Sequence, residues 1–238
     1  MSKLRLDKYL ADMGVGTRQE VKALIRKGRV AVDGITAKAP ELKVDPDEAQ
    51  VTVDGNSISY VKMEYWMLHK PAGVVSATED RRDRTVLDLL SDAARKDLFP
   101  VGRLDKNSVG VLLITNDGDL TRQLTHPSYK KSKIYQVSLD KPLSEEDMQR
   151  IADGIELEDG MIYADEVSYV SDSRKEIGIE IHSGRNRIVR RIFEALGYSV
   201  QKLDRVYFAG LTKKGLKRGA WRFLTPREVS MLKSGEYE

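Results

Sequence analysis

Cysteine is absent from this chain of 238 residues, which excludes disulfide bonds, thiolate catalysis and cysteine-ligated zinc. Histidine is scarce, and its three positions, His69, His126 and His182, are too scattered to predict a multi-histidine metal site. Apolar runs long enough to span a bilayer are also lacking, and residues 1–5 lead into charged sequence rather than an apolar signal core. These absences favour a cytoplasmic protein without a membrane partner, and they are compatible with a reducing compartment.

An excess of charge of one sign is lacking as well, since 40 basic side chains face 37 acidic ones and the formal net charge is +3. That value does not identify a nucleic-acid-binding protein by itself, so the distribution along the chain has to decide. Residues 1–30 carry eight basic side chains against three acidic ones, and residues 183–218 carry ten against two. A solvated helix face usually mixes both signs, so the second segment in particular predicts contact with RNA.

The most distinctive stretch lies at residues 100–118. A Gly-Arg-Leu-Asp step at residues 102–105 is followed by Gly110, and then by an apolar, β-branched run that an Asn-Asp-Gly turn signal closes. This order predicts a loop that places Asp105 just before the start of a buried strand. Local chemistry alone favours a structural role for Asp105, because most loop aspartates accept hydrogen bonds from backbone donors in turns.

The same stretch resembles the central motif of the pseudouridine synthases, and specifically of the branch that modifies ribosomal RNA, the RsuA/RluB/RluF family. The resemblance implies that Asp105 is the essential catalytic residue. Lys133-x-Tyr135 is similar to the family's second motif, whose tyrosine stacks on the target base, although a strand tyrosine is more often simply packed. Residues 184–191 are similar to the third motif, whose arginine pairs with the catalytic aspartate and by position is Arg190.

Three smaller features complete the resemblance. Arg103 matches the family arginine that can enter the space vacated by the base, and a structural salt bridge is the alternative. Ile188 replaces a glutamine that many relatives have, so no polar contact is implied there, whereas the arginines around it are retained. Lys70-Pro71-x-Gly73 also resembles a family segment, but the sequence by itself favours a Pro-Gly turn.

The first sixty residues predict a small α/β module. Apolar spacing indicates a helix from Leu6 to Met13, and a capping-box pattern indicates a second helix that begins at Thr17 and ends at Gly28. Together with the segment at residues 28–34, these pieces resemble the RNA-binding module named after ribosomal protein S4. The resemblance implies contacts with the backbone of structured RNA, which position a protein without reading much sequence.

The candidate RNA-binding residues are the basic side chains of these motifs. For the N-terminal ones, charge alone is equally compatible with an ordinary solvated helix face. The full set of candidate RNA-binding residues is Arg5, Lys8, Arg18, Lys22, Arg26, Arg29, Arg103, Arg185, Arg187 and Arg191.

The predicted fold class is α+β, with a small S4-like RNA-binding domain at residues 1–61 and a pseudouridine synthase domain at residues 62–238. The larger domain is expected to have a mixed, mainly antiparallel sheet with helices flanking a central cleft. Its predicted elements are strands at 65–68, 133–139 and 176–181 and helices at 86–90, 119–124, 188–196 and from Thr225 onward.

The resemblance implies site-specific isomerisation of uridine to pseudouridine in ribosomal RNA, with Asp105, Tyr135 and Arg190 as the catalytic group. This reaction needs no cofactor and no metal, and none is expected. Residues 202–224 look more like the enzymes of the large subunit, which slightly favours large-subunit RNA over small-subunit RNA. Whether Asp105 acts on the ribose or on the base stays open, and a monomer is the default oligomeric state.

Two other functions remain open at this point. The chain could be a non-catalytic RNA-binding or ribosome-assembly protein, although Asp105, Tyr135 and Arg190 are all present. It could also be a metal-dependent nuclease built on Asp105, Asp117 and Asp119. The last two aspartates are more simply explained by a turn followed by a helix cap.

Overall fold

The computed structural model describes residues 3–90 and 97–236 of the chain. The chain divides into two compact units between Met63 and Glu64. In the described residues, no helix combines the length and the apolar character that crossing a membrane requires.

The first unit is a small α/β module with two helices and two small sheets in its described part. Its elements are β1 (Leu4–Arg5), α1 (Leu6–Asp12), α2 (Arg18–Arg26), β2 (Val30–Val32), β3 (Ile35–Thr36), β4 (Lys43–Val44), β5 (Val51–Val53) and β6 (Asn56–Ile58). Strands β3, β2, β5 and β6 form an antiparallel sheet in that order, and β1 pairs with β4. The predicted capping box is confirmed, because Thr17 accepts from the Glu20 backbone and Glu20 accepts from the Thr17 backbone.

The second unit contains the remaining elements, which include four helices and two 3₁₀ turns in the described residues. Its strands are β7 (Tyr65–Lys70), β8 (Phe99–Pro100), β9 (Val109–Thr115), β10 (Lys133–Leu139), β11 (Ile155–Leu157), β12 (Gly160–Ile162), β13 (Glu166–Tyr169), β14 (Glu176–Ile181), β15 (Val200–Phe208), β16 (Leu211–Thr212) and β17 (Trp221–Phe223). Its helices are α3 (Gly118–Thr125), α4 (Glu145–Asp153), α5 (Ile188–Ala195) and α6 (Pro226–Ser234), and its 3₁₀ turns are Leu87–Leu89 and Pro127–Tyr129.

One predicted element is wrong in its type. The helix expected through residues 86–90 is a single 3₁₀ turn, and residues 91–96 lie outside the described residues. The reason is tertiary, because the backbone N–H of Val86 donates to the Val75 carbonyl and Thr85 bridges to Val75. This isolated bridge keeps the chain extended up to Thr85, and only a short 3₁₀ turn follows it in the described residues.

Nine of the described strands form one mixed sheet, with the order β13-β14-β10-β15-β9-β7-β17, β16 on β15 and β8 on β9. All these neighbours are antiparallel except β9 and β15, which run parallel, so the predicted mixed, mainly antiparallel sheet is confirmed. At the parallel contact Gly110 pairs with Arg205, and a Cβ at Gly110 would lie 2.2 Å from the Arg205 carbonyl oxygen. Only glycine permits this close approach, which also requires a φ of +120°.

Strand β9 lies in the centre of the second unit. Every one of its residues is buried, and its side chains alternate between two apolar clusters, with Leu112 and Ile114 in one and Val111 and Leu113 in the other. Such a strand is a rigid support for the segment that precedes it. The loop of residues 101–108 therefore presents Asp105 at the entrance of β9, as the sequence predicted.

Candidate active site

A cavity of about 460 Å³ opens in the second unit around the loop of residues 101–108. Its size falls within the roughly 300–1,000 Å³ range of small-ligand sites. Among the described residues that line it, Asp105 is the one carboxylate, and six side chains are basic. These basic residues are Arg103, Lys106, Lys133, Arg185, Arg187 and Arg205. The cavity is therefore suited to a ligand that carries or develops negative charge.

Two arginines of the third motif meet the Asp105 carboxylate. The Asp105 Oδ2 atom lies 3.4 Å from Arg187 Nη1 and 3.6 Å from Arg190 Nε. Arg187 is about half exposed, whereas the Arg190 side chain is nearly buried and its Nη1 donates to the Val200 carbonyl at 2.9 Å. Burial and the nearby charge of Arg187 lower the pKa of Arg190, while the Asp105 carboxylate acts in the opposite direction. Arg190 is thus the more firmly held partner of Asp105.

Lys70, at the end of β7, fixes the backbone of the Asp105 loop. This fully buried side chain donates to the carbonyls of Asp105 and Lys106, both at 3.1 Å, and to that of Ser108 at 2.8 Å. The Pro71 carbonyl also lies 3.0 Å from its Nζ atom. Burial lowers the pKa of Lys70 to about 8, although the Asp105 charge opposes this shift.

This role of Lys70 was not predicted, because a Pro-Gly turn explains residues 70–73 from the sequence alone. The available signal was the position of Lys70 two residues after the apolar run of residues 65–68. A lysine at such a position has its side chain in the core and must find acceptors there. A second anchor lies nearby, where Ser76 Oγ exchanges hydrogen bonds with the backbone N–H and carbonyl of Leu104.

Strands β10 and β15 supply five residues of the cavity lining, and four of them form two opposed pairs. Tyr135 on β10 lies opposite Arg205 on β15, and Lys133 lies opposite Phe208. Directly opposed residues of an antiparallel pair share one face of the sheet. Tyr135 and Arg205 are buried, at 8% and 2% exposure. Tyr135 therefore lines the same cavity as Asp105. Arg205 and Lys133 line it too, although they were not among the predicted site residues.

In the first unit, several predicted RNA-binding side chains gather around one buried carboxylate. Asp7 is fully buried and accepts from Arg5 and from Arg18, and Lys22 lies 4.0 Å away. The hydrogen bond from Arg5 is the main reason why the pKa of Asp7 is lowered. Three cations thus share one anion and are each about half exposed. This arrangement keeps a positive surface on α2 and orders it.

The other predicted basic residues of this unit have different surroundings. Lys8 pairs with Asp12, and Arg29 pairs with Asp54. Arg26 is exposed on α2. These contacts neither establish nor exclude binding to RNA, so the roles of all six N-terminal residues stay predictions.

Arg185 and Arg191 of the third motif hold a hairpin. Both guanidinium groups contact Asp159, in the turn between β11 and β12, at 2.9 Å and 2.6 Å. Arg185 also donates to the carbonyls of Gly160 and Met161. Hydrogen bonding from Arg191 is the main cause that lowers the pKa of Asp159 to about 2. These two arginines therefore have a structural partner that the sequence did not reveal.

We expect Asp159→Ala to loosen this hairpin, because both arginines then lose their shared acceptor and only the contacts of Arg185 with backbone carbonyls remain. Hydrogen exchange followed by mass spectrometry should show faster exchange in β11 and β12, with unchanged exchange in β14. In the unaltered chain the contact is complete above the ordinary aspartate pKa and is lost only as the pH falls through about 2. Glu158→Ala, an exposed neighbour in the same turn, is the matched control. Equal acceleration in both variants would contradict the assignment.

The aspartates of the nuclease alternative do not join Asp105. Asp117 caps α3 by accepting from the Leu120 backbone, and it also accepts from the Tyr65 hydroxyl at 2.7 Å. Burial acts to raise the pKa of Asp117, but these hydrogen bonds and the Lys233 ammonium together outweigh it and the net shift is downward. Asp119 is exposed on α3, and neither residue lines the cavity. Within residues 3–90 and 97–236, no cluster of three or more metal-ligating side chains is present.

Comparison with known proteins agrees with this arrangement. Residues 64–195 match the family model of the RNA pseudouridylate synthases, and residues 4–49 match the S4 domain. A ribosomal large subunit pseudouridine synthase B of Bacillus subtilis is 37% identical over 234 residues, which cover 97% of this chain and 96% of that protein. The protein of the same name from Vibrio cholerae is 36% identical, over 96% of this chain and 74% of that one.

A solved structure supports the same assignment. A crystal structure of a pseudouridylate synthase superimposes with a TM-score of 0.67 at 27% sequence identity, and covers 96% of this chain and 99% of that one. Both the sequence matches and the structural match extend over nearly the whole chain. The chain therefore belongs to the RNA pseudouridylate synthase family and is an RNA-binding isomerase that carries an S4 domain ahead of its catalytic domain.

Proposed function

We propose that this enzyme isomerises uridine to pseudouridine at specific positions of ribosomal RNA, with Asp105 as its catalytic carboxylate. The observation that carries the proposal is the placement of Asp105 as the one described carboxylate in a cavity lined by six basic side chains. Two relatives of 36–37% identity are named for the ribosomal large subunit, which supports large-subunit RNA as the favoured substrate.

The reaction conserves every atom of the nucleotide. The bond between ribose C1′ and uracil N1 breaks, the uracil turns, and C1′ then bonds to C5. The C5 proton leaves and N1 gains a proton, so that the product is an isomer and no oxidant or reductant is consumed. Asp105 serves as nucleophile or general base, on the ribose or on the base. Each of these roles requires a charged, oriented carboxylate.

Arg190 supplies that orientation. Its guanidinium is held by the Val200 carbonyl and lies 3.6 Å from Asp105. A cation at this distance favours the charged carboxylate and restricts its motion. Arg187 adds a second positive charge from the solvent side of the cavity.

Tyr135 receives the target base. A base inside folded RNA must be extruded before it can react, at a cost of a few kcal/mol. Stacking of a base on an aromatic ring contributes about 1–3 kcal/mol, so a stack on Tyr135 offsets much of that cost. Arg103 is exposed on the same loop as Asp105 and is available to occupy the space left in the RNA.

The S4 domain supplies affinity for the RNA backbone. Arg5, Arg18 and Lys22 surround a single carboxylate and remain about half exposed, which leaves an excess of positive charge on that surface. Contacts of this kind weaken steeply with salt and carry little sequence information. Since one chain contributes all the proposed catalytic residues, the proposal requires only a monomer.

The test is pseudouridine mapping of both ribosomal RNAs from cells that lack this protein, with and without the wild-type gene restored. We expect one or a few uridines, in large-subunit RNA, to lose the modification and to regain it on complementation. Loss confined to small-subunit RNA would correct the substrate. If every site persisted while ribosomal particles assembled abnormally, the non-catalytic alternative would replace the proposal.

A further inference from the structure

Strands β10 and β15 form one side of the cavity, here called its floor, with the basic residues Lys133 and Arg205. Both side chains have unused hydrogen-bonding capacity. Arg205 donates through Nε to the Val111 carbonyl at 2.9 Å, but its buried Nη2 atom has no hydrogen-bond partner. Lys133 donates to the carbonyls of Lys131 and His182, which leaves one of the three ammonium protons. A buried donor without an acceptor costs free energy, so the unpartnered Nη2 of Arg205 calls for a ligand that accepts from it, and the remaining proton of the partly buried Lys133 is available to the same ligand.

The Phe208 ring lies close to both cations. The Arg205 guanidinium lies 4.6 Å from the centre of the Phe208 ring, and the Lys133 ammonium lies 6.0 Å from it. The same ring therefore contacts both groups, each within the range of a cation–π interaction. Because Phe208 is itself 99% buried, its ring restricts the motion of the Arg205 and Lys133 side chains.

The electrostatics of the floor also favour an incoming negative charge. Burial and the charge of Arg205 lower the pKa of Lys133 to about 8, and the Asp165 carboxylate only partly offsets them. Two like charges in a buried site repel each other, and an acceptor placed between them relieves that repulsion. The carbonyl oxygens of uracil are such acceptors, and negative charge moves onto them whether Asp105 adds to the base or the C1′–N1 bond breaks first.

We propose that Arg205 and Lys133 form the base-recognition end of the cavity, where they donate hydrogen bonds to a carbonyl oxygen of the uracil and stabilise the charge that develops there. The assignment rests on the proposed function. Tyr135 and Arg205 are directly opposed across β10 and β15, so Arg205 is the neighbour of a base that stacks on Tyr135. Cytosine presents an amino group in place of O4, so the same donors select uracil when O4 is the oxygen they bind.

The test pairs variants of the protein with altered oxygens in the RNA. Arg205→Met and Lys133→Met are each combined with RNA that carries uridine, 2-thiouridine or 4-thiouridine at the mapped site, and single-turnover rates are measured. We expect each variant to be slowed about 10²–10³-fold on uridine, as for removal of a donor to a developing oxyanion. In the wild type, replacing the contacted oxygen with sulfur should slow the reaction about tenfold, because sulfur is a weaker acceptor. In each variant the same replacement should slow the reaction by less than about twofold, because the donor to that atom is already absent.

Controls separate this role from packing and from a contact with an RNA phosphate. Lys202→Met, on the exposed face of β15, should match the wild type. If Arg205→Met fails to fold, as a melting curve will show, Lys133→Met still tests the proposal, because Lys133 lies at a strand end and is only partly buried. A different result would overturn the proposal and assign the two residues to a contact with an RNA phosphate. In that case the variants would bind RNA more weakly and with a smaller salt dependence, and their effects would add to those of both thiouridines. A wild type inactive on every RNA would instead refute the proposed function itself.

Discussion

Asp105→Asn is expected to abolish pseudouridine formation, with a loss of about 10⁴-fold or more in the single-turnover rate, as for removal of a central catalytic group. Asparagine has nearly the same shape as aspartate but neither charge nor basicity, so the cavity keeps its form and loses its reactive group. Affinity for the RNA should stay within about threefold, because most of the binding comes from contacts with the phosphate backbone. Rates are measured by pseudouridine mapping of a transcript incubated with excess enzyme.

The matched control is Asp119→Asn. This aspartate is exposed on α3, outside the cavity, and its loss should cost only the small favourable interaction of an acid with a helix N-terminus. Its rate should equal that of the wild type, with and without a chelator of divalent cations. A substantial rate of pseudouridine formation in Asp105→Asn would contradict the assignment of Asp105. A magnesium-dependent cleavage of the RNA that Asp119→Asn removes would favour the nuclease alternative.

Local sequence signals were sufficient for much of the fold. The capping box at Thr17 and the helix start at Thr225 were both predicted and are confirmed, and Thr225 also has a capping box; such contacts join residues three apart. The alternating strands predicted at 133–139 and 176–181 are also confirmed, because one of their faces is buried against the core. Such features depend on neighbours in sequence, so they can be derived before any tertiary structure is available.

The parts that could not be predicted depend on distant partners. Arg185 and Arg191 meet Asp159, which lies 26 and 32 residues away, and no local pattern connects them. Lys70 meets carbonyls 35 to 38 residues away. Arg205 did carry a signal, because it shares the inward phase of β15 with Leu203 at a spacing of two. A basic residue in the apolar phase of a strand is therefore a candidate for a buried functional role.

Lys70→Met is expected to affect both stability and catalysis. Methionine has a similar length but no donors, so the carbonyls of Asp105, Lys106 and Ser108 lose their shared partner in the interior. Each unpaired buried acceptor costs about 1–3 kcal/mol, and relief of the desolvation of the ammonium offsets part of this. We expect the free energy of unfolding, measured with urea, to fall by about 2–4 kcal/mol.

The catalytic effect follows from the position of the loop. A reacting group displaced by about 1 Å can lose about 10²-fold in rate, so the single-turnover rate should fall by at least that factor in the folded fraction of Lys70→Met. Asn107→Ala is the matched control, because Asn107 is exposed on the same loop and does not line the cavity. An unchanged rate in well-folded Lys70→Met would show that β9 alone suffices to position Asp105.

The pH dependence of stability gives an independent check on Lys70. Its pKa is lowered from 10.5 to about 8 in the folded chain, so between these values the unfolded chain binds more protons. The wild type should therefore gain stability as the pH rises through this window, and below about pH 8 the gain is absent. Lys133 also has a lowered pKa and contributes to the same gain, so Lys70→Met should keep only part of it. Retention of the whole gain would mean that the Lys70 ammonium is not buried in solution as its contacts with the loop require.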